Sequence, residues 1–173
     1  MTSMKCSAFR VLSLICLCAS VARGQTSQEQ APLPTLTVSG DIPSRLVLKA
    51  EDVAKMPREK VLVPEQDGTK VEYEGVPLRE ILIKAGVPMG KELRGKALAS
   101  YVLAKARDGY QVVFTLAEVA PEFANESILV ADKRDGKPLF GYQGPFRLVC
   151  PNDKAGARSV RMLQDLEFVR LQK

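Results

Sequence analysis

Hydrophobic and polar positions alternate in short runs along most of the chain, and glycine, proline or aspartate cuts each run before it grows long. From residue 35 the pattern predicts a short strand at 35–38 (TLTV), a turn at Gly40-Asp41-Ile42-Pro43 and a second strand at 46–48. Residues 49–55 read as one or two helical turns stopped by Pro57. Strands at 61–63 and 70–73 flank Gln66-Asp67-Gly68-Thr69, a hairpin signal. Leu78, Ile81, Leu82 and Ala85 then repeat at helical spacing, with Pro77 at the first helical position and Gly86 just past the end.

The second half is richer in strands. Residues 98–104 and 110–115 flank Arg107-Asp108-Gly109, a second hairpin, and 116–120 form a short helix before Pro121. Apolar strands follow at 127–131 and 146–150, separated by Asp135-Gly136-Lys137-Pro138, and a last strand at 166–171 closes the chain. No period of 20 to 50 residues repeats, which excludes a solenoid. Many short strands with two or three short helices predict a single α+β domain dominated by antiparallel sheet over residues 35–173.

Ahead of this domain the pattern is different. Lys5 and Arg10 precede an apolar stretch at residues 11–22 (VLSLICLCASVA), too short to span a bilayer but suited to the core of a signal peptide. Ala22-Arg23-Gly24 places small residues where cleavage before Gln25 needs them. Residues 1–24 are therefore expected to be a signal peptide, with an uncleaved anchor as the alternative, and 25–34 (QTSQEQAPLP) a flexible leader. Ile15 and Leu17 precede the two cysteines of the stretch, which disfavours a lipoprotein site. The expected location is periplasmic or secreted, with no membrane span after cleavage.

Cleavage changes the electrostatics. It removes Lys5, Arg10 and Arg23 and no acid, leaving 22 basic against 20 acidic residues where the whole chain is nominally +5. A net charge of +2 and few aromatic residues give nucleic-acid binding no support. Cys150 is the one cysteine after residue 18, so no intramolecular disulfide can form in the mature chain. The chain has no histidine, which excludes Ser-His-Asp and Cys-His centres and His-ligated zinc.

Three passages go further: residues 38–43 (VSGDIP); Tyr73-Glu74-Gly75-Val76-Pro77-Leu78-Arg79-Glu80-Ile81-Leu82 with Ala85-Gly86-Val87 behind it; and Asp135-Gly136-Lys137-Pro138-Leu139 followed by Gly144-Pro145-Phe146-Arg147-Leu148-Val149, Pro151 and Ser159-Val160-Arg161. In that order and spacing they resemble the oxidoreductase molybdopterin-binding domain, the pterin-binding unit of the sulfite oxidase family, from about residue 36 to the C-terminus. The resemblance implies the sulfite-oxidase-type fold and a molybdopterin cofactor. It also implies a metal-ligating cysteine thiolate on the loop ahead of the Gly-Val-Pro-Leu passage. The matching region, residues 60–74 (KVLVPEQDGTKVEYE), contains no cysteine, and Val63, Pro64 and Glu65, the counterparts, offer no soft sulfur. Arg147 and residues 151–161 match the part that approaches the pterin and its phosphate, with Arg161 where many relatives carry lysine.

The residues themselves point the same way. Arg147, Lys154, Arg158 and Arg161 place four cations within 15 residues beside Ser159 and a glycine-containing loop, a set suited to phosphate recognition; the plainer alternative is a solvated charged loop. Arg147 lies inside an apolar strand, and either faces solvent or is buried with a partner. Cys150 is a reactive thiol, a relocated metal ligand or an inert packed residue. Glu72 and Glu74 share a strand face and read as solvated; Tyr110 reads as a cross-strand aromatic partner; Asn125-Glu126-Ser127 is a glycosylation sequon.

The expected function is a non-redox binding domain for a small anionic ligand or a protein partner. Its expected ligand-binding residues are Arg147, Lys154, Arg158, Ser159 and Arg161, with no metal ligand. A molybdopterin oxidoreductase with an atypical ligand set and a purely structural domain remain the alternatives.

Overall fold

The computed structural model describes residues 34–65, 67–125 and 127–171. The signal segment, and the leader up to residue 33, lie outside the described residues, as do Gln66 of the first hairpin and Glu126 of the sequon. Two sheets build the domain. The first has the order β2 (Leu46–Lys49), β1 (Thr35–Gly40), β10 (Leu163–Val169), β5 (Tyr101–Ala106) and β6 (Gln111–Thr115). All its pairings are antiparallel except β1 with β10. The second runs β3 (Glu59–Pro64), β4 (Lys70–Pro77) and β7 (Leu129–Arg134), with β8 (Lys137–Pro138) and β9 (Arg147–Val149) both paired to β7. Three short helices connect them: α1 (Ala50–Ala54), α2 (Leu78–Lys84) and α3 (Leu116–Val119). The architecture is the expected α+β one. Among the described residues no helix is long and apolar enough to cross a membrane.

The period-two pattern explains which faces are buried. Along β5, Val102, Ala104 and Ala106 are buried, and along β10, Leu163, Leu166 and Phe168. They join Leu36 and Val38 of β1, Val76, Val130 and Leu148 of the second sheet, and Ile81 and Leu82 of α2 in the main core. The opposite face of the second sheet carries a smaller cluster of Val71, Tyr73, Leu129, Ala131, Leu139 and Val149. Arg147 follows the odd-numbered parity of Val149 and pairs with Ala131, so it belongs to this outer face.

Several boundaries differ from the sequence expectation. Residues 98–100 are not strand: Gly95–Ala99 forms a 3-10 turn and β5 begins at Tyr101. The strand expected at 127–131 runs from Leu129 to Arg134, that at 146–150 shortens to Arg147–Val149, and the last starts at Leu163 and ends at Val169. β4 continues to Pro77 because Gly75 lets it press against β7; a Cβ there would collide with the Val130 carbonyl oxygen.

The β4–β7 register also shifts. Tyr73 opposes Arg134 and Glu74 opposes Lys133, but Gly75 opposes Ala131, so Asp132 is an extra residue in β7. That bulge places Arg134 on the face of Tyr73, where strict alternation from Val130 would put it on the other.

Candidate functional site

The outer face of the second sheet floors a cavity of about 970 Å³. The end of the β3–β4 hairpin supplies one wall through Val63, Pro64 and Glu65, and the loop after β9 supplies the other through Cys150, Lys154, Ser159 and Arg161. Tyr73, Arg134, Arg147 and Val149 lie between them.

Arg147 sits at the floor. Its Nη1 donates to the Tyr73 hydroxyl (2.8 Å) and to Gln143 Oε1 (2.7 Å), and its guanidinium lies over the Tyr73 ring, 5.0 Å from the centroid. Its Nε is buried with no hydrogen-bond partner among the described residues, and no carboxylate pairs with it there. Burial pushes its pKa below the ordinary guanidinium value; Tyr73 and Glu65 oppose the shift, and nearby Arg161 and Arg134 reinforce it. The two readings of Arg147 therefore resolve into a third: half-buried, with neutral partners alone.

The loop is fastened beside this strand. Leu148 N–H donates to the Val160 carbonyl and Leu163 N–H to the Phe146 carbonyl, both at 2.8 Å. Ser159 Oγ accepts from the Cys150 N–H at 3.2 Å, which leaves the hydroxyl proton for another acceptor. Arg161 is exposed at the rim, its guanidinium 5.3 Å from the centroid of the Tyr142 ring. Lys154 is exposed in the loop. Neither pairs with a carboxylate among the described residues.

Arg158 does not line the cavity. Its guanidinium is held by Asp153 and Glu118, which raise its pKa above the ordinary value. Of the expected ligand-binding set, the fold thus brings Arg147, Lys154, Ser159 and Arg161 to one cavity and points Arg158 elsewhere.

Sequence reasoning missed three contributors: Arg134, bridged to Glu65 (3.5 Å) and Asp135 (3.6 Å), Tyr73 and Gln143. The bulge that brings Arg134 in leaves no local sequence signal. Tyr73 was within reach, since it alternates with Val71 on a buried face.

Other singled-out residues find plainer places. Cys150 is buried, with its Sγ 3.9 Å from the Arg158 carbonyl oxygen. Glu74 is not simply solvated: Arg58 and Lys133 both donate to its Oε1, at 2.7 and 3.1 Å, while Glu72 takes Lys60 at 2.8 Å. Tyr110 falls outside β6, and its hydroxyl donates to the Ala157 carbonyl at 2.7 Å, a loop anchor in place of a cross-strand pair.

The fold is similar to the crystal structure of the sulfane dehydrogenase SoxCD from Paracoccus pantotrophus, with a TM-score of 0.62 and 21% identity. The match covers 78% of this chain and 38% of that one, so this chain spans well under half the length of its structural neighbour. No curated protein matches the sequence. The family described as the oxidoreductase molybdopterin binding domain matches residues 25–173, and the chain belongs to that family.

Proposed function

We propose that this chain is an exported, non-redox member of the family that binds a small anionic ligand in the cavity above the second sheet. Arg147 is the observation that carries the reading. A half-buried guanidinium with only neutral partners costs desolvation energy that a bound oxyanion would offset. Arg161, Lys154 and the Ser159 hydroxyl border the same space. Of the carboxylates that also line it, Glu65 is paired with Arg134, Asp153 with Arg158, and Asp67 accepts from Thr69. An anion there would meet Arg147, Arg161 and Lys154 as cations without a carboxylate partner among the described residues.

The family implies a molybdopterin cofactor, and the residues fit it unequally. The basic wall suits a phosphate group. The opposite wall, where the resemblance puts the metal-ligating thiolate, presents Val63, Pro64 and Glu65, and Glu65 is engaged by Arg134. A carboxylate in an ion pair is a poor substitute for a soft sulfur ligand. A redox reading is favoured by one fact, that Cys150 borders the same cavity.

Titration calorimetry with inorganic phosphate tests the proposal on the purified chain. Saturable binding with a Kd between about 10 µM and 1 mM, weakening as salt rises, is expected. Heats no larger than those of dilution would overturn it.

A further inference from the structure

Arg158 belongs to the loop that carries Lys154, Ser159 and Arg161, yet it does not line the cavity. Its Nε and Nη2 donate to Asp153 Oδ2 and Oδ1 at 2.8 and 3.0 Å, a bidentate pair within the loop. Its Nη1 donates to Glu118 Oε1 at 2.6 Å, and its guanidinium lies 5.1 Å from the centroid of the Phe114 ring on β6.

Glu118 is itself fixed. Its Oε2 accepts from the Thr115 N–H at 2.8 Å, and its own N–H donates to Thr115 Oγ1 at 3.3 Å, the reciprocal cap of α3. Tyr110 adds a second anchor from the same side through the Ala157 carbonyl. Between Cys150 and Ser159 the loop has little backbone bonding of its own: Asp153 N–H to the Cys150 carbonyl at 3.4 Å and Ser159 N–H to that of Gly156 at 3.1 Å. Its shape therefore depends on side-chain anchors.

We propose that Arg158 is a positioning residue, which by bridging Asp153 to Glu118 holds the loop where Lys154, Ser159 and Arg161 face the cavity. This rests on the reading of the cavity as an anion site. Anion affinity then depends on Arg158 and Glu118, neither of which lines the cavity, acting through Asp153, which does.

Glu118→Gln separates this from simple electrostatics. With its amide oxygen on the Thr115 N–H glutamine retains the cap of α3, and its NH2 then faces Arg158, so the substitution removes both the charge and the acceptor that Arg158 uses. Taking away a negative charge near an anion site tightens binding by long-range attraction; releasing the loop weakens it. The signs are opposite.

Inorganic phosphate is titrated into the wild-type chain and into E118Q, and backbone hydrogen exchange of residues 152–157 is followed in both without phosphate. The expected result is binding weakened about three- to tenfold in E118Q, with faster exchange in the loop. Arg158→Lys should lie between the two, since lysine keeps the charge but lacks the bidentate fork. Equal or tighter phosphate binding by E118Q, or loop exchange unchanged from wild type, would overturn the positioning role while leaving the anion site standing. Failure of the wild-type chain to bind phosphate would overturn both.

Discussion

Arg147 donates to the hydroxyl of Tyr73 at 2.8 Å while its guanidinium rests over the same ring, so one buried tyrosine provides both a hydrogen-bond acceptor and a π face to a cation without a carboxylate. A neutral phenol and an aromatic face stabilise a cation less than a carboxylate would, and they leave its charge uncompensated. An anion entering the cavity would meet a cation already oriented and partly desolvated, and holding that cation costs stability in the protein alone.

That cost predicts the behaviour of Arg147→Met. Methionine keeps much of the volume and removes the uncompensated charge, so thermal stability should equal or exceed that of the wild type. Phosphate affinity should fall by about 1.5–3 kcal/mol, the range for a lost hydrogen bond to a charged group. Calorimetry and a melting curve on one preparation check both. A variant that melts much lower and still binds would show the guanidinium to be a packing element.

Arg161→Ala should behave differently. Arg161 is exposed and stacks on Tyr142, so stability should change within about 0.5 kcal/mol. Phosphate binding should weaken by roughly 1–3 kcal/mol. A large drop in melting temperature without ligand would mark it as structural and remove it from the site.

The contrast between Arg158 and Arg161 shows how far the sequence could be read. Both are arginines in one basic loop, and the one local acid, Asp153, could have served either. Arg158 takes it as a bidentate partner, and its second partner, Glu118, lies 40 positions earlier and reaches it only after β6 and α3 are in place. Arg134 is a similar case, aimed into the cavity by one extra residue in β7. Features set by local chemistry were legible: the apolar stripe of α2, the turns at Gly40 and Gly109, and the alternation in β5 and β10. The start of β5 was misplaced because Leu98 is apolar yet lies in a 3-10 turn at 38% exposure.

Arg58 holds the second sheet together beyond the cavity. It donates to Glu74 at 2.7 Å and to both oxygens of Asp132, at 3.1 and 2.5 Å, with these side chains only 17–21% exposed. Arg58→Met leaves Glu74 with Lys133 alone and takes from Asp132 its Arg58 partner, and should cost about 2 kcal/mol, or roughly 4–8 °C in Tm. Lys133 and Arg58 hold the Glu74 carboxyl below the usual carboxylate range. Its contribution is thus complete above the unfolded value of about 4.3 and is lost as pH falls through the lower folded value. Melting curves between pH 7 and 2 should show acid unfolding beginning at a higher pH in the variant.

Export has a direct readout. If residues 1–24 act as a signal peptide, intact mass of protein recovered from outside the cytoplasm will correspond to a chain beginning at Gln25. A mass that retains those residues would remove the periplasmic or secreted assignment.

The metal question is answered by elemental analysis. Protein produced in a host that makes molybdopterin is expected to carry molybdenum far below one atom per chain. The reason is the wall formed by Val63, Pro64 and Glu65, where Glu65 is 3.5 Å from Arg134 and no sulfur is offered. A carboxylate neutralised by a guanidinium is a weak donor, and molybdenum in this family relies on a soft thiolate. Molybdenum at about one atom per chain would contradict the non-redox reading and leave Cys150, in the opposite wall of the cavity, as the available sulfur. Cys150→Ser would then decide its role: loss of the metal with an unchanged melting curve would identify Cys150 as the ligand, and retention would mean the cofactor is held through its organic part by the basic wall alone.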